Sequence, residues 1–143
     1  MLLWASLALA GEPGASATVV GGTVAGVAGG EEGRIELTRP DAMVFRSKRA
    51  SLTIPYDRIE TLEYGQRVNR RYVEGILLSP VLLLAKSRKH FVTIGYTDDE
   101  GHRQALVFRV GKGDVRAVLA GLEAKTGRRV EYQDAAARKW GKG

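Results

Sequence analysis

From Arg34 onward, apolar and polar residues alternate in short runs separated by turn chemistry, the pattern of antiparallel strands that bury one face. Ile35 and Leu37 share a face, Arg39-Pro40-Asp41-Ala42 makes a turn, Val44 to Arg46 is the next strand, and Lys48-Arg49 turns again. Leu52 and Ile54 then point inward, Pro55 interrupts the ladder, and Ile59 to Gly65 resumes it with Leu62 and Tyr64. The clearest register lies in His90 to Val110. A three-residue loop at Asp99-Glu100-Gly101, with Gly101 left-handed, sets Ile94 opposite Leu106 and Val92 opposite Phe108 on one apolar face. The other face carries Thr93, Gly95, Ala105 and Arg109 and is expected to be solvated or thinly covered.

Upstream, Thr18 to Gly30 has Gly22, Gly26 and Gly30 at every fourth position but is too short and too weakly apolar to span a membrane. It reads as a first strand whose glycines let another backbone come close. Downstream, Asp114 can cap a helix in which Val115, Val118, Leu119 and Leu122 form an apolar stripe, and Gly127 supplies the stop. Residues 131–143 then turn polar and are expected as a flexible tail.

Seven strands followed by one amphipathic helix, with Leu52-Thr53-Ile54-Pro55-Tyr56-Asp57-Arg58-Ile59 at the passage from the fourth to the fifth strand, resemble the pleckstrin-homology-like superfamily and its GRAM-type bacterial relatives. The resemblance covers residues 18–130. It implies a mainly β, α+β fold: a seven-stranded antiparallel barrel of two roughly orthogonal sheets, partly open and plugged at one end by the C-terminal helix. Members of that superfamily mostly bind lipid headgroups or peptides and are not enzymes. One departure bears on ligand choice. Phosphoinositide-binding members place Lys and Arg between the first two strands, whereas this loop reads Ala28-Gly29-Gly30-Glu31-Glu32-Gly33, so no headgroup site is carried over to it.

Between the fifth and sixth strands, residues 67–89 form a helical apolar insertion. Ile76, Leu77, Leu78, Val81, Leu82, Leu83 and Leu84 make a run apolar on every side, and Ser79-Pro80 suits the start of a helical turn. At ~1.5 Å per residue the run reaches about 14 Å, roughly half of a bilayer core of ~30 Å. Arg67, Arg70 and Arg71 precede it and Lys86, Arg88 and Lys89 follow it, with Glu74 the only acid. That is the layout of an interfacial anchor on an anionic membrane. It equally suits a hairpin folded over an open end of the barrel, or a contact with a protein partner or a second copy of the chain.

Composition sharpens this picture. The chain has 143 residues, 22 Lys and Arg against 16 Asp and Glu, no cysteine and two histidines. One folded domain fits this length. Disulfides, thiol nucleophiles and cysteine-bearing zinc sites are excluded, and no cofactor or metal is called for. The charge is uneven: residues 1–66 hold 6 basic and 8 acidic residues, and residues 67–143 hold 16 and 8. No G-x-G-x-x-G or G-x-x-x-x-G-K loop and no G-x-S-x-G or H-E-x-x-H motif occurs. Asp98-Asp99-Glu100 lacks calcium-loop spacing and reads as a turn, while His90 and His102 read as edge or surface histidines.

At the N-terminus, residues 1–17 read as an export signal: the apolar run Leu2 to Ala10, a helix-breaking stretch, then small residues at Ala15-Ser16-Ala17, with Ala8-Leu9-Ala10 as the other cleavage candidate. Together these features predict an exported, periplasmic or membrane-associated, non-catalytic binding module. Its contact is the 67–89 segment and its partner an anionic membrane surface or a protein. A basic nucleic-acid-binding domain is the alternative, disfavoured by export, and an enzyme with scattered catalytic residues comes third.

Overall fold

The computed structural model describes residues 14–27, 29–66, 77–78 and 90–142. Its strands are β1 (Ala15–Gly22), β2 (Glu32–Glu36), β3 (Ala42–Ser47), β4 (Ser51–Pro55), β5 (Ile59–Gly65), β6 (Leu77–Leu78), β7 (His90–Thr97), β8 (Arg103–Val110) and β9 (Val130–Tyr132). A 3₁₀ turn at Tyr56–Arg58 joins β4 to β5, and the helices are α1 (Val115–Thr126) and α2 (Ala135–Lys142). The protein is thus mainly β with two C-terminal helices.

Hydrogen bonds link the strands into one mixed sheet of order β4-β3-β2-β1-β8-β7-β5-β9, with β6 paired to β1 beside this path. Every pairing is antiparallel except β5 with β9, where Leu62, Glu63 and Tyr64 lie against Val130, Glu131 and Tyr132. The β7–β8 hairpin has the expected register: Ile94 pairs with Leu106 and Val92 with Phe108. Its loop closes with Gly101 at φ 82° and Asp98 Oδ1 accepting from the backbone N–H groups of Glu100 and His102, at 2.9 and 2.8 Å.

The inward face of this sheet supplies the core. Ile35, Phe45, Ile54, Leu62, Val92, Ile94, Leu106 and Phe108 are all buried there, and Val115, Val118, Leu119 and Leu122 of α1 join the same cluster. The stripe expected of α1 is the stripe it buries, and Gly127 ends the helix in the left-handed conformation at φ 73°. Asp114 sits at the N-cap without a side-chain capping bond. Phe45 and Phe108 lie on β3 and β8, three strand spacings or about 14 Å apart on a flat sheet. Their ring centroids are 5.2 Å apart, so the sheet curls strongly around the core.

Four expectations change. The first strand starts at Ala15 rather than Thr18 and ends at Gly22, because Ala15, Ser16 and Ala17 pair with Ile35, Arg34 and Gly33. The second face of the hairpin is covered unevenly: Phe91, Thr93 and Val107 are buried, since Phe91 and Val107 add apolar area to a face read from its polar members, while Gly95, Ala105 and Arg109 are half-buried. Within the insertion, Leu77 and Leu78 are extended and pair with Gly22 and Gly21, where a helix was expected; residues 67–76 and 79–89 lie outside the described residues. The polar C-terminal stretch forms β9 and α2 instead of a tail. Asp134 Oδ1 accepts from the Ala137 N–H at 2.8 Å to start that helix, and Ala137 is buried.

Candidate functional site

The strand ends around His90 form the most unusual environment among the described residues. His90 begins β7 opposite Val110 of β8, and its side chain points to the same side as Val92, which pairs with Tyr64 of β5. Tyr132 of β9 lies beside Tyr64, and α2 then carries Trp140 back onto His90. Three segments far apart in sequence therefore meet at one imidazole.

Their geometry is tight. Tyr64 Oη and His90 Nδ1 share a hydrogen bond of 2.5 Å, and the two rings are nearly parallel at 9° with centroids 5.9 Å apart. Tyr132 meets Tyr64 edge-on at 6.1 Å, and Trp140 meets His90 at 5.6 Å and 62°. Lys112 Nζ stands 4.9 Å from the Trp140 ring centre, a cation–π distance. Arg116 Nε donates to the Trp140 carbonyl at 2.8 Å and so ties α1 to the end of α2.

Electrostatics follow from this packing. Burial, with the Lys112 cation adding to it, holds the His90 imidazole below its ordinary range, so the neutral ring is favoured. Burial pushes the Tyr64 phenol up to about 12, reinforced by Tyr132. With Nε2 carrying the imidazole proton, the Tyr64 hydroxyl donates to Nδ1.

Beside this cluster opens a cleft of about 670 Å³. It is lined by Ser16, Ala17 and Thr18 of β1, Glu32 and Gly33 of β2, and by Gln66, His90, Arg109, Val110, Lys112 and Trp140. Arg109 is half-buried, and Gln66 Nε2 is buried without a hydrogen-bond partner. A second cleft, about 1060 Å³, lies between the β1–β2 loop and the β3–β4 turn. Its cations Arg34, Arg46, Lys48 and Arg49 are interleaved with Glu31, Glu32 and Glu36, and Arg46 Nε pairs with Glu36 Oε2 at 2.8 Å. The acids of the β1–β2 loop are therefore balanced in the folded cleft by cations from β2, β3 and the β3–β4 turn.

The sequence-predicted contact residues Arg67, Arg70, Arg71, Ile76, Val81, Leu82, Leu83, Leu84, Lys86, Arg88 and Lys89 lie outside the described residues, and of Leu77 and Leu78 only the backbone is described. The edge or surface reading of His90 is overturned, because the residue is 6% exposed and hydrogen-bonded. His102 is exposed as expected. Sequence reading missed Tyr64, Arg109, Lys112, Tyr132 and Trp140 as a group. Among the described residues, no three His, Asp or Glu side chains come together as a metal site, and no helix is long and apolar enough to cross a membrane. No protein-family model matches the chain, and neither does any curated protein.

Proposed function

We propose that the chain is a non-catalytic, pleckstrin-homology-like binding module that docks on an anionic membrane surface through its 67–89 segment. Seven long strands in chain order, the strong curl of the sheet and α1 on its inner face favour this family reading.

One observation carries the functional part. The segment follows Gln66 and precedes His90 in the chain, and both of these residues line the cleft that holds Arg109, Lys112 and Trp140. Both chain ends of a segment that carries six cations therefore adjoin two further cations and an aromatic ring of the type that favours membrane interfaces.

Sedimentation with vesicles tests the proposal. Anionic vesicles are expected to pull the protein down at low salt and neutral vesicles to leave it in solution. Replacing Lys86, Arg88 and Lys89 with Gln removes roughly 3 kcal/mol at ~1 kcal/mol per cation, a loss of more than about a hundredfold in affinity. Equal binding to both vesicle types, or to neither, rejects the membrane reading.

The pairing of Leu77–Leu78 with β1 favours a second reading, in which the apolar run packs on the protein itself. In that case Leu83→Glu unfolds the domain, whereas an exposed wedge tolerates it.

Export is part of the same proposal. Because Ala15, Ser16 and Ala17 pair in β1, cleavage after Ala10 would keep that strand whole and cleavage after Ala17 would not. The N-terminal residue and cell fraction of the expressed protein test this, and uncleaved cytoplasmic protein removes it.

A further inference from the structure

We infer that the cleft beside His90 is a binding site for a small organic monocarboxylate, seated with its carboxylate toward Arg109, Lys112 and Gln66 and its hydrocarbon body against Trp140. This goes beyond membrane docking and does not depend on it.

The chemistry of the cleft points to an anion. Neither Arg109 nor Lys112 makes an ion pair with a described carboxylate, although Glu32 lines the same cleft. Gln66 Nε2 is a buried donor without an acceptor, an arrangement that costs free energy until an oxygen is supplied. Among the described lining residues Arg109 and Lys112 stand against Glu32, a balance that favours an anion. Charge-assisted hydrogen bonds from a guanidinium, an ammonium and an amide suit the two oxygens of a carboxylate.

The rest of the lining fits an organic body better than a bare ion. At about 670 Å³ the cleft falls within the size range of small-molecule sites. Its apolar surface comes from Trp140, while Ser16 and Thr18 add hydroxyls. Lys112 is placed over the indole ring, so one side chain supplies a cation beside the apolar surface.

Titration of the full chain with benzoate, followed by two-dimensional NMR at the Gln66 side-chain amide and the Trp140 indole N–H, tests the inference. Benzyl alcohol serves as the neutral analogue of the same shape. Benzoate is expected to shift both signals saturably and benzyl alcohol to bind at least about tenfold more weakly, the worth of one charge-assisted contact. Lys112→Gln, on the exposed loop after β8, and Arg109→Gln should each weaken benzoate about tenfold. Should Arg109→Gln fail to fold, Lys112→Gln carries the test alone. The inference is overturned if benzoate shifts neither signal, if benzyl alcohol binds as well, or if Lys112→Gln leaves benzoate affinity unchanged. Because no vesicle enters this experiment, its failure and failure of the membrane reading are separate results.

Discussion

Acidification should destabilise this protein through His90. In the folded chain the imidazole is buried, faces the Lys112 cation and shares its Nδ1 with the Tyr64 hydroxyl. Arg109 and Glu32 line the adjoining cleft, and Arg116 reaches the Trp140 carbonyl from α1. A proton on Nδ1 would turn that nitrogen into a donor, force the Tyr64 hydroxyl hydrogen to find another acceptor, and bury a cation near another cation. The folded pKa is therefore depressed. Above the unfolded value of 6.5 both states are neutral and His90 costs nothing. As pH falls below it, the unfolded chain binds a proton that the folded chain resists, so stability declines until the folded pKa is reached and then levels off. If the fold keeps the ring neutral throughout, the loss between about pH 7.5 and pH 5.5 reaches roughly 1.4 kcal/mol, one tenfold step in the folding equilibrium. Domains of this kind are stable by only about 5–15 kcal/mol, so urea denaturation at the two pH values resolves the change. Asp41 and Asp98 do not confuse the reading, because hydrogen bonds from Arg39 and Gln104 hold their carboxyls below the usual range. In His90→Gln the overall stability should drop while its dependence on pH in this window flattens. A pH response as large in His90→Gln as in the natural chain, or a natural chain that gains stability on acidification, would refute the reasoning.

Four further outcomes are expected. In an alkaline ultraviolet titration, Tyr64 and Tyr96, both pushed up to about 12 by burial, should ionise after the other phenols; a single sharp transition near the ordinary tyrosine range would contradict the described burial. Since those folded pKa values lie above the unfolded one, stability should fall as pH rises past about 10, where the unfolded phenols ionise first. Leu119→Ala, at a position 1% exposed where α1 meets the sheet, should cost about 2–5 kcal/mol in urea denaturation, and a cost below about 1 kcal/mol would place α1 outside the core. Two glycines should separate steric from conformational cost. At Gly33 a Cβ would come within 2.2 Å of the Arg46 carbonyl oxygen, so Gly33→Ala is expected to lose about 1–3 kcal/mol. At Gly127 a Cβ meets nothing within 4 Å, so Gly127→Ala should lose only ~1 kcal/mol from its left-handed backbone, and equal losses would argue against the close approach of β2 and β3.

Local patterning made most of the sheet readable. The β7–β8 hairpin was legible to single-residue register because alternation over eight residues on each side and a glycine turn all point the same way. The helix stripe of α1 was legible for a similar reason, with four buried positions at helical spacing and a glycine stop. Reading failed where one residue type suits two purposes. Ala15-Ser16-Ala17 is a good peptidase motif and also an adequate strand, and only its pairing partners on β2 distinguish the two. Beyond Val130, mostly polar residues concealed α2, whose anchors are Ala137, Trp140 and a glycine that lies against Tyr132 and Leu119. Asp134 before three alanines was the available signal for that helix. The His90 cluster left no local trace, because it depends on the parallel pairing of β9 with β5, which brings residues near 64, 90, 132 and 140 together.

The two ends of the main strand order bear on how this chain can meet copies of itself. One border is β4, five residues long and ending in Pro55, which has no N–H to offer; the other is β9, three residues long. Short, proline-marked margins give an incoming strand few backbone groups to pair with. Growth of the sheet at these two margins by addition of a neighbouring chain is thereby discouraged. A protein built this way can carry a long, strongly hydrogen-bonded interior and still avoid the edge-to-edge stacking that such an interior invites.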